Sequence, residues 1–536
     1  MVMFMLWLAC GSSDPEVTHA MLPEADPLDM LTRVSLDIRG VRPSVAEVDA
    51  VLNDPEALND FIDTYLTDER FPERVIDLYS EIYLTQAEVF PVPMSSFNFA
   101  EAVSNYAYTR SIGEEPLRIL ATVADEDLPY TEIVTADWTV INPILASMYP
   151  TDYPDGGRDW QKARYTDGRP AAGVLSTNGM WWRYGSTSSN LNRKRANQVS
   201  RIFLCNDYLT RPIEFDRDVN LLDEEAVADA IKNDPGCVAC HVSLDPLASY
   251  LYGFWYIDET SAGDTTSYHP ERELLHQQLG VPKPAYYGKP GGTLNALGHH
   301  IAGDPRFVEC AVEQAYTRLM GRDAVLTDGD ALAIHREAFM EGGLTLRALF
   351  RSILTHPRYR SAAEGPDGFA TKKLATANLM ASQIEGLTGF AWTQSGTEMM
   401  TSDAVGVGNL AGRADGYRMV RDSRSPNATM LLVTARLAEA AAAHLMVTEA
   451  PLAPDERDLF TLVDFSETPD SDLAAMAAQI RHLHKAVLGR SVDTDSEEVT
   501  ANLSLWTELH AATEDPYVAW GGVLIALLRD PDFLMY

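Results

Sequence analysis

Positive charge is scarce in this chain. It carries 42 Lys and Arg against 78 Asp and Glu, a net charge of −36 over 536 residues. A surface of that sign repels phosphate backbones, so nucleic acid is set aside as a partner. Several catalytic signatures are missing as well. There is no G-x-S-x-G, no H-E-x-x-H and no P-loop sequence, which leaves serine-hydrolase, zinc-protease and phosphate-transfer chemistry without an anchor. Strand-like alternation is sparse. No stretch after residue 19 approaches the roughly 20 continuous apolar residues that span a bilayer. Cysteine is rare too, at five residues: Cys10, Cys205, Cys237, Cys240 and Cys310.

What is present is helical. Hydrophobic residues make up 46% and charged residues 22%, the balance of a folded globular protein. A chain this long outgrows one core, and three or four domains are expected at roughly 100–200 residues each. Apolar residues recur at three- and four-residue spacing over 46–52, 61–66, 222–231, 346–353, 435–445 and 473–488. Proline- and glycine-containing loops fall at 152–169 and 280–292, with smaller breaks at 363–368 and 422–426. A pattern recurs three times, over 36–71, 319–359 and 488–533. Each copy has a Gly at a helix end and then a Ser, Thr or Asp cap with acidic residues in the first turn. A second helix follows and ends near an aromatic. No catalytic residue type recurs in all three, so they read as scaffold helix pairs. The expected fold is mainly α and multi-domain, with helix-pair repeats around one loop-rich module.

That module contains Cys237-Val238-Ala239-Cys240-His241. C-x-x-C-H is the attachment sequence for c-type haem. Two thiols three residues apart can each bond a vinyl group of one porphyrin, and the adjoining histidine then lies under the iron. A redox dithiol and half of a zinc site are the alternatives. A zinc site needs two more ligands, and there is no second C-x-x-C. A thioredoxin-like dithiol needs a strand before it, whereas Asn233-Asp234-Pro235-Gly236 reads as a loop. For a sixth iron ligand, Met180 beside Trp181 and Trp182 is the first candidate, with Met320 and the pair His299 and His300 behind it. Arg193 and Arg195, in the densest basic run of the chain, are candidate contacts for haem propionates. The aromatic run Tyr250, Tyr252, Phe254, Trp255 and Tyr256 reads either as porphyrin packing or as core.

The remaining cysteines follow from this assignment. The opening run Met1 to Cys10, followed by Gly11, Ser12 and Ser13, looks like the end of a lipoprotein signal with Cys10 as the lipidated residue. Cys205 and Cys310 are then left as a disulfide pair, which requires an oxidising compartment.

Four stretches resemble the planctomycete-type cytochrome c family. They are 31–71 (with RVSLDIRGVRPSVAEV), 130–149, 172–246 (with CVACHVSLDP) and 304–322 (opening DPRFVEC). Together they cover most of residues 30–360, while residues 370–536 match only loosely. The resemblance implies one haem c held by Cys237, Cys240 and His241, with flanking cysteines like Cys205 and Cys310. The expected organisation is a signal segment and linker at 1–19 and helical modules at 20–95 and 96–170. The haem module follows at 171–290, a closing helical module at 291–365 and C-terminal helical modules at 366–536. The expected function is an exported, lipid-anchored periplasmic or outer-membrane cytochrome. It would pass electrons to or from a larger redox or membrane-associated partner, more as an electron-transfer or assembly subunit than as a stand-alone enzyme. The alternatives are a haem-containing scaffold lipoprotein and an oxidoreductase with an open haem position.

Overall fold

A computed structural model describes residues 24–99, 102–154, 156–211, 220, 222–362 and 372–536. Cys10 and the signal segment lie outside the described residues, as does the expected break at 363–368. Helices dominate, and strands form only three short antiparallel hairpins among the described residues.

Local sequence explains where the helices begin and end. Asp26 caps Pro27–Ile38 by accepting from Leu28 N–H, with Pro27 in the first helical position. Ser44 and Glu47 form a capping box at the start of Val45–Asn53. The repeated unit is larger than a helix pair. In each copy a helix runs into the glycine, and two more helices follow before the aromatic. The sets are Pro27–Ile38 with Val45–Asn53 and Ala57–Tyr65; Pro305–Met320 with Gly329–Glu341 and Leu346–Leu354; and Pro469–Leu483 with Glu497–Thr513 and Pro516–Leu528. Gly321 and Gly489 both have φ of +69°, a left-handed turn that costs other residues steric energy. Gly489 has a second constraint, since a Cβ there would sit 2.2 Å from Thr32 Oγ1. The third unit is thereby pressed against the first.

Two apolar cores result. One runs from Met30 to Tyr359 and draws on all of the segments expected between 20 and 365. The other runs from Ala375 to Leu534 and takes in Leu36 from the first helix. A small satellite of Phe90, Tyr108, Ile141, Tyr149 and Trp182 lies beside the first. Buried polar contacts join the two main cores. Lys373 pairs with Asp37, whose carboxylate also accepts from Tyr359 and Tyr536. Arg42 donates to Gln383 Oε1 and to the carbonyls of Asp532 and Phe533.

The helix Ala428–Glu449 departs from the expectation drawn from continuous apolar runs. It has 22 residues and is apolar enough to cross a membrane by length and composition. Its Met430, Val433, Leu437, Ala441 and Leu445 are buried, and all of these but Met430 belong to the second core.

Candidate functional site

The segment Asn233 to Gly236 is not a loop. Asp234 is the single junction between the helices Glu224–Asn233 and Pro235–Ala248. Its carboxylate accepts from the N–H groups of Gly236 and Cys237 at 2.9 and 3.2 Å, and Pro235 takes the first helical position, where its missing N–H costs nothing. The motif therefore occupies the first two turns of a helix. At helical pitch Cys237, Cys240 and His241 share one side of it. Both thiols are unpaired and half-buried.

This helix packs against Glu224–Asn233 and Arg193–Leu204. Tyr208 and Ser243 share a hydrogen bond of 2.7 Å beside it, and Ser249 Oγ donates to Pro282 O at its far end. Next to His241 lies a groove of about 760 Å3, within the range of small-molecule sites. Its walls are largely apolar, with Val227, Ile231, Val238 and Val281 among them, while Arg193 and Lys232 bring positive charge.

Asp245 organises the polar side. One oxygen lies 2.9 Å from His241 Nδ1. Arg193 donates to both oxygens, from Nε at 2.7 Å and from Nη2 at 3.0 Å. Burial by itself would raise the Asp245 carboxyl, but the hydrogen bonds and charges of His241 and Arg193 outweigh it and hold the group below the usual carboxylate range. A carboxylate can only accept, so Nδ1 carries the proton and the Nε2 lone pair is left for a ligand. At Cys237 the balance runs the other way. Burial comes first, followed by the charge and hydrogen bond of Asp234, and together they push the thiol up. A redox dithiol needs the opposite, a thiol activated by a lowered pKa. For zinc, no three His, Cys, Asp or Glu side chains among the described residues gather as a chelating group.

The other candidates are distributed by packing. Cys205 and Cys310 are bonded, with Cα atoms 5.2 Å apart, and join the end of Arg193–Leu204 to Pro305–Met320. Arg193 lines the groove, but Arg195 does not. Its guanidinium is buried and donates to the carbonyls of Tyr184, Phe254 and Trp181, so it ties the chain together instead of meeting a propionate. Met180 is fully buried in the first core and lines no part of the groove. Its helix Asn178–Arg183 lies too close to Asn105–Asp125 to turn outward, since a Cβ on Gly179 would sit 2.2 Å from Ile112 O. Met320 is core, and His300 stacks on Tyr286. His299 lies on the exposed side of its helix, away from the groove. Tyr250, Tyr252 and Phe254 are buried, with Phe254 packed against Trp181 and Tyr268.

Sequence reasoning gave Asp245 no role. Its spacing four residues after His241, on a helix, was the signal available. Comparison of the chain with known protein families, with curated proteins and with solved structures finds no match in any of the three.

The residues present fit a haem. Two free thiols and one histidine lie on one helical side, with the histidine tautomer set for ligation through Nε2. His241, though neither thiol, lines an apolar groove in which Lys232 brings a cation to meet a propionate. Cys237 and Cys240 would hold the group, His241 would face its iron, and Lys232 would meet its carboxylates, while the Arg193 fork is taken up by Asp245.

Proposed function

We propose that this chain is a monohaem c-type cytochrome that transfers electrons to or from a larger partner. The observation that carries the reading is the pairing of the C-x-x-C-H helix with the Asp245-oriented His241 at the edge of an apolar groove. The resemblance of residues 30–360 to planctomycete-type cytochromes supports it. When bound, the haem supplies a one-electron Fe(III)/Fe(II) couple. The chain's own residues do the rest. Cys237 and Cys240 would anchor the group, His241 offers Nε2, and Val227, Ile231 and Val281 line the groove with apolar surface. The Cys205–Cys310 disulfide favours an oxidising compartment, in keeping with an exported protein anchored through Cys10.

The experiment is expression with c-type haem maturation, followed by a visible spectrum and a pyridine haemochrome assay. One haem per chain that survives acid-acetone extraction, and is lost in Cys237→Ala/Cys240→Ala, is expected. A colourless protein with two titratable thiols would sink the reading and leave the helical scaffold alternative. The groove also favours a second reading, an open iron position. Among its described lining residues there is no methionine and no histidine besides His241. Carbon monoxide binding to the reduced protein separates the open site from a closed one.

A further inference from the structure

His241 is held by a carboxylate, and that carboxylate has a partner of its own. The geometry points to Asp245 as a positioning residue: it fixes the His241 ring and makes it a stronger donor to iron, while Arg193 locks the carboxylate in place. This rests on the haem reading above.

Three features separate the contact from an incidental surface pair. The Asp245 side chain is only 7% exposed, so water does not compete freely for its oxygens. Arg193 grips both oxygens in a planar fork, at 2.7 and 3.0 Å, which leaves the carboxylate little freedom to rotate. Arg193 also opens the helix whose other end is bonded through Cys205 to Cys310. The orientation of the ring is thus inherited from a covalently tied element and not from the motif helix alone.

The chemical consequence follows from the donor and the acceptor. An imidazole whose N–H is bonded to a carboxylate carries more electron density on its other nitrogen than one bonded to a neutral carbonyl. That density stabilises Fe(III) over Fe(II) and lowers the reduction potential. Arg193 keeps the pair near neutral overall, so the effect reaches the iron through the hydrogen bond and not through a net local charge.

The test uses the full-length, haem-loaded protein. Asp245→Asn and the double variant Arg193→Leu/Asp245→Asn are compared with wild type by potentiometric titration and by the iron–imidazole stretch in resonance Raman. The double variant leaves the net charge of the pair unchanged, so a shift that persists in it belongs to the hydrogen bond. The expected result is a higher potential in both variants. The Fe(II)/Fe(III) ratio at fixed potential should rise about tenfold, which is about 59 mV for one electron. The stretch should weaken in parallel. Covalent haem with potential and stretch unmoved in both variants would overturn the inference. If Asp245→Asn fails to mature, Asp245→Glu is measured in its place. It keeps the charge but shifts the acceptor by a methylene, so an unchanged stretch there would also overturn it. A wild-type protein without haem would overturn the cytochrome reading itself, a result distinguishable from the other two.

Discussion

The region from Met30 to Tyr359 and the region from Ala375 to Leu534 are both built from capped helices around an apolar core, but they bury different things. The first buries charge. Arg33, Asp37, Arg39, Glu114, Arg169, Arg195, Asp245 and Asp328 are all nearly inaccessible, and most form ion pairs or grip backbone carbonyls. The second buries fewer charges, among them Arg413 paired with Asp403 and Arg457 on the carbonyls of Phe460 and Val463, and is closed mainly by Ala438, Ala441, Ala442, Leu445, Trp506 and Trp520, with Glu449 and Gln479 serving loop backbone. Small and aliphatic side chains let helices approach until no groove is left. Fixed polar ties can hold helices at set positions with a gap between them. The groove beside His241 lies in the region that has such ties, and Arg193–Asp245 is one of them.

The largest expected effect lies where the two regions meet. Lys373→Met strands the Asp37 carboxylate in the interior, and the cost of breaking such a pair is about 3–5 kcal/mol. Urea unfolding measures it. A loss that also splits one transition into two would mean that this contact couples the cores. A loss under about 1 kcal/mol would mean that they stand independently.

Next in size is the disulfide. Replacing Cys205 and Cys310 by Ser frees a loop of 105 residues, and a loss of about 2–5 kcal/mol is expected. Hydrogen exchange should show the effect in Arg193–Leu204 and Pro305–Met320 and leave Ala428–Glu449 unchanged. Faster exchange in both regions would erase the contrast drawn between them.

Acid should act with opposite sign at two groups. His335 is buried against His356, and burial first, then that neighbour's charge, lowers it to about 3. Its folded pKa lies below the unfolded 6.5, so the stability it contributes is present above pH 6.5 and is lost as pH falls toward 3. Asp403 lies in the segment that docks against Gln86 and Glu88. Burial raises it to about 6 despite Arg413. Its contribution is present below its ordinary 3.8 and is lost as pH rises through 6. Urea midpoints at pH 4, 5 and 6 for wild type, His335→Gln and Asp403→Asn should show slopes displaced in opposite directions. Parallel slopes would refute both assignments.

The smallest effect is expected at the surface. Arg351 and Asp63 pair at 2.5 Å, but both side chains are about half exposed, and Arg351→Gln should cost less than about 1 kcal/mol. A larger loss would show that exposed pairs share the role assigned here to buried ones.

Much of the helical frame was readable from periodicity and caps. The expected helices at 46–52, 346–353 and 473–488 lie on observed ones and that at 222–231 overlaps one over 224–231, because amphipathic spacing and Ser, Thr or Asp caps act over a few residues. The break placed at Asn233 to Gly236 was misread. Pro and Gly there look like a turn, but an aspartate before a proline also starts a helix, and the outcome depended on how the motif helix packs against its neighbours. Met180 and Arg195 are singled out by residue type and sequence neighbours, Trp181 and Trp182 for one and a basic run for the other. Their places were decided by Gly179 against Ile112 and by the carbonyls around Arg195, contacts made across long stretches of chain.

By itself the sequence determined the helical class, many of the helix caps and the C-x-x-C-H spacing of Cys237, Cys240 and His241, because caps, periodicity and motif spacing are local properties. Only the tertiary structure decided that His241 borders a groove, that Arg193 and not Arg195 lines it, and that Arg193, at the start of the disulfide-tied helix, holds the Asp245 carboxylate against His241. Those relations join residues 52 and 105 positions apart, and packing is what brings them together.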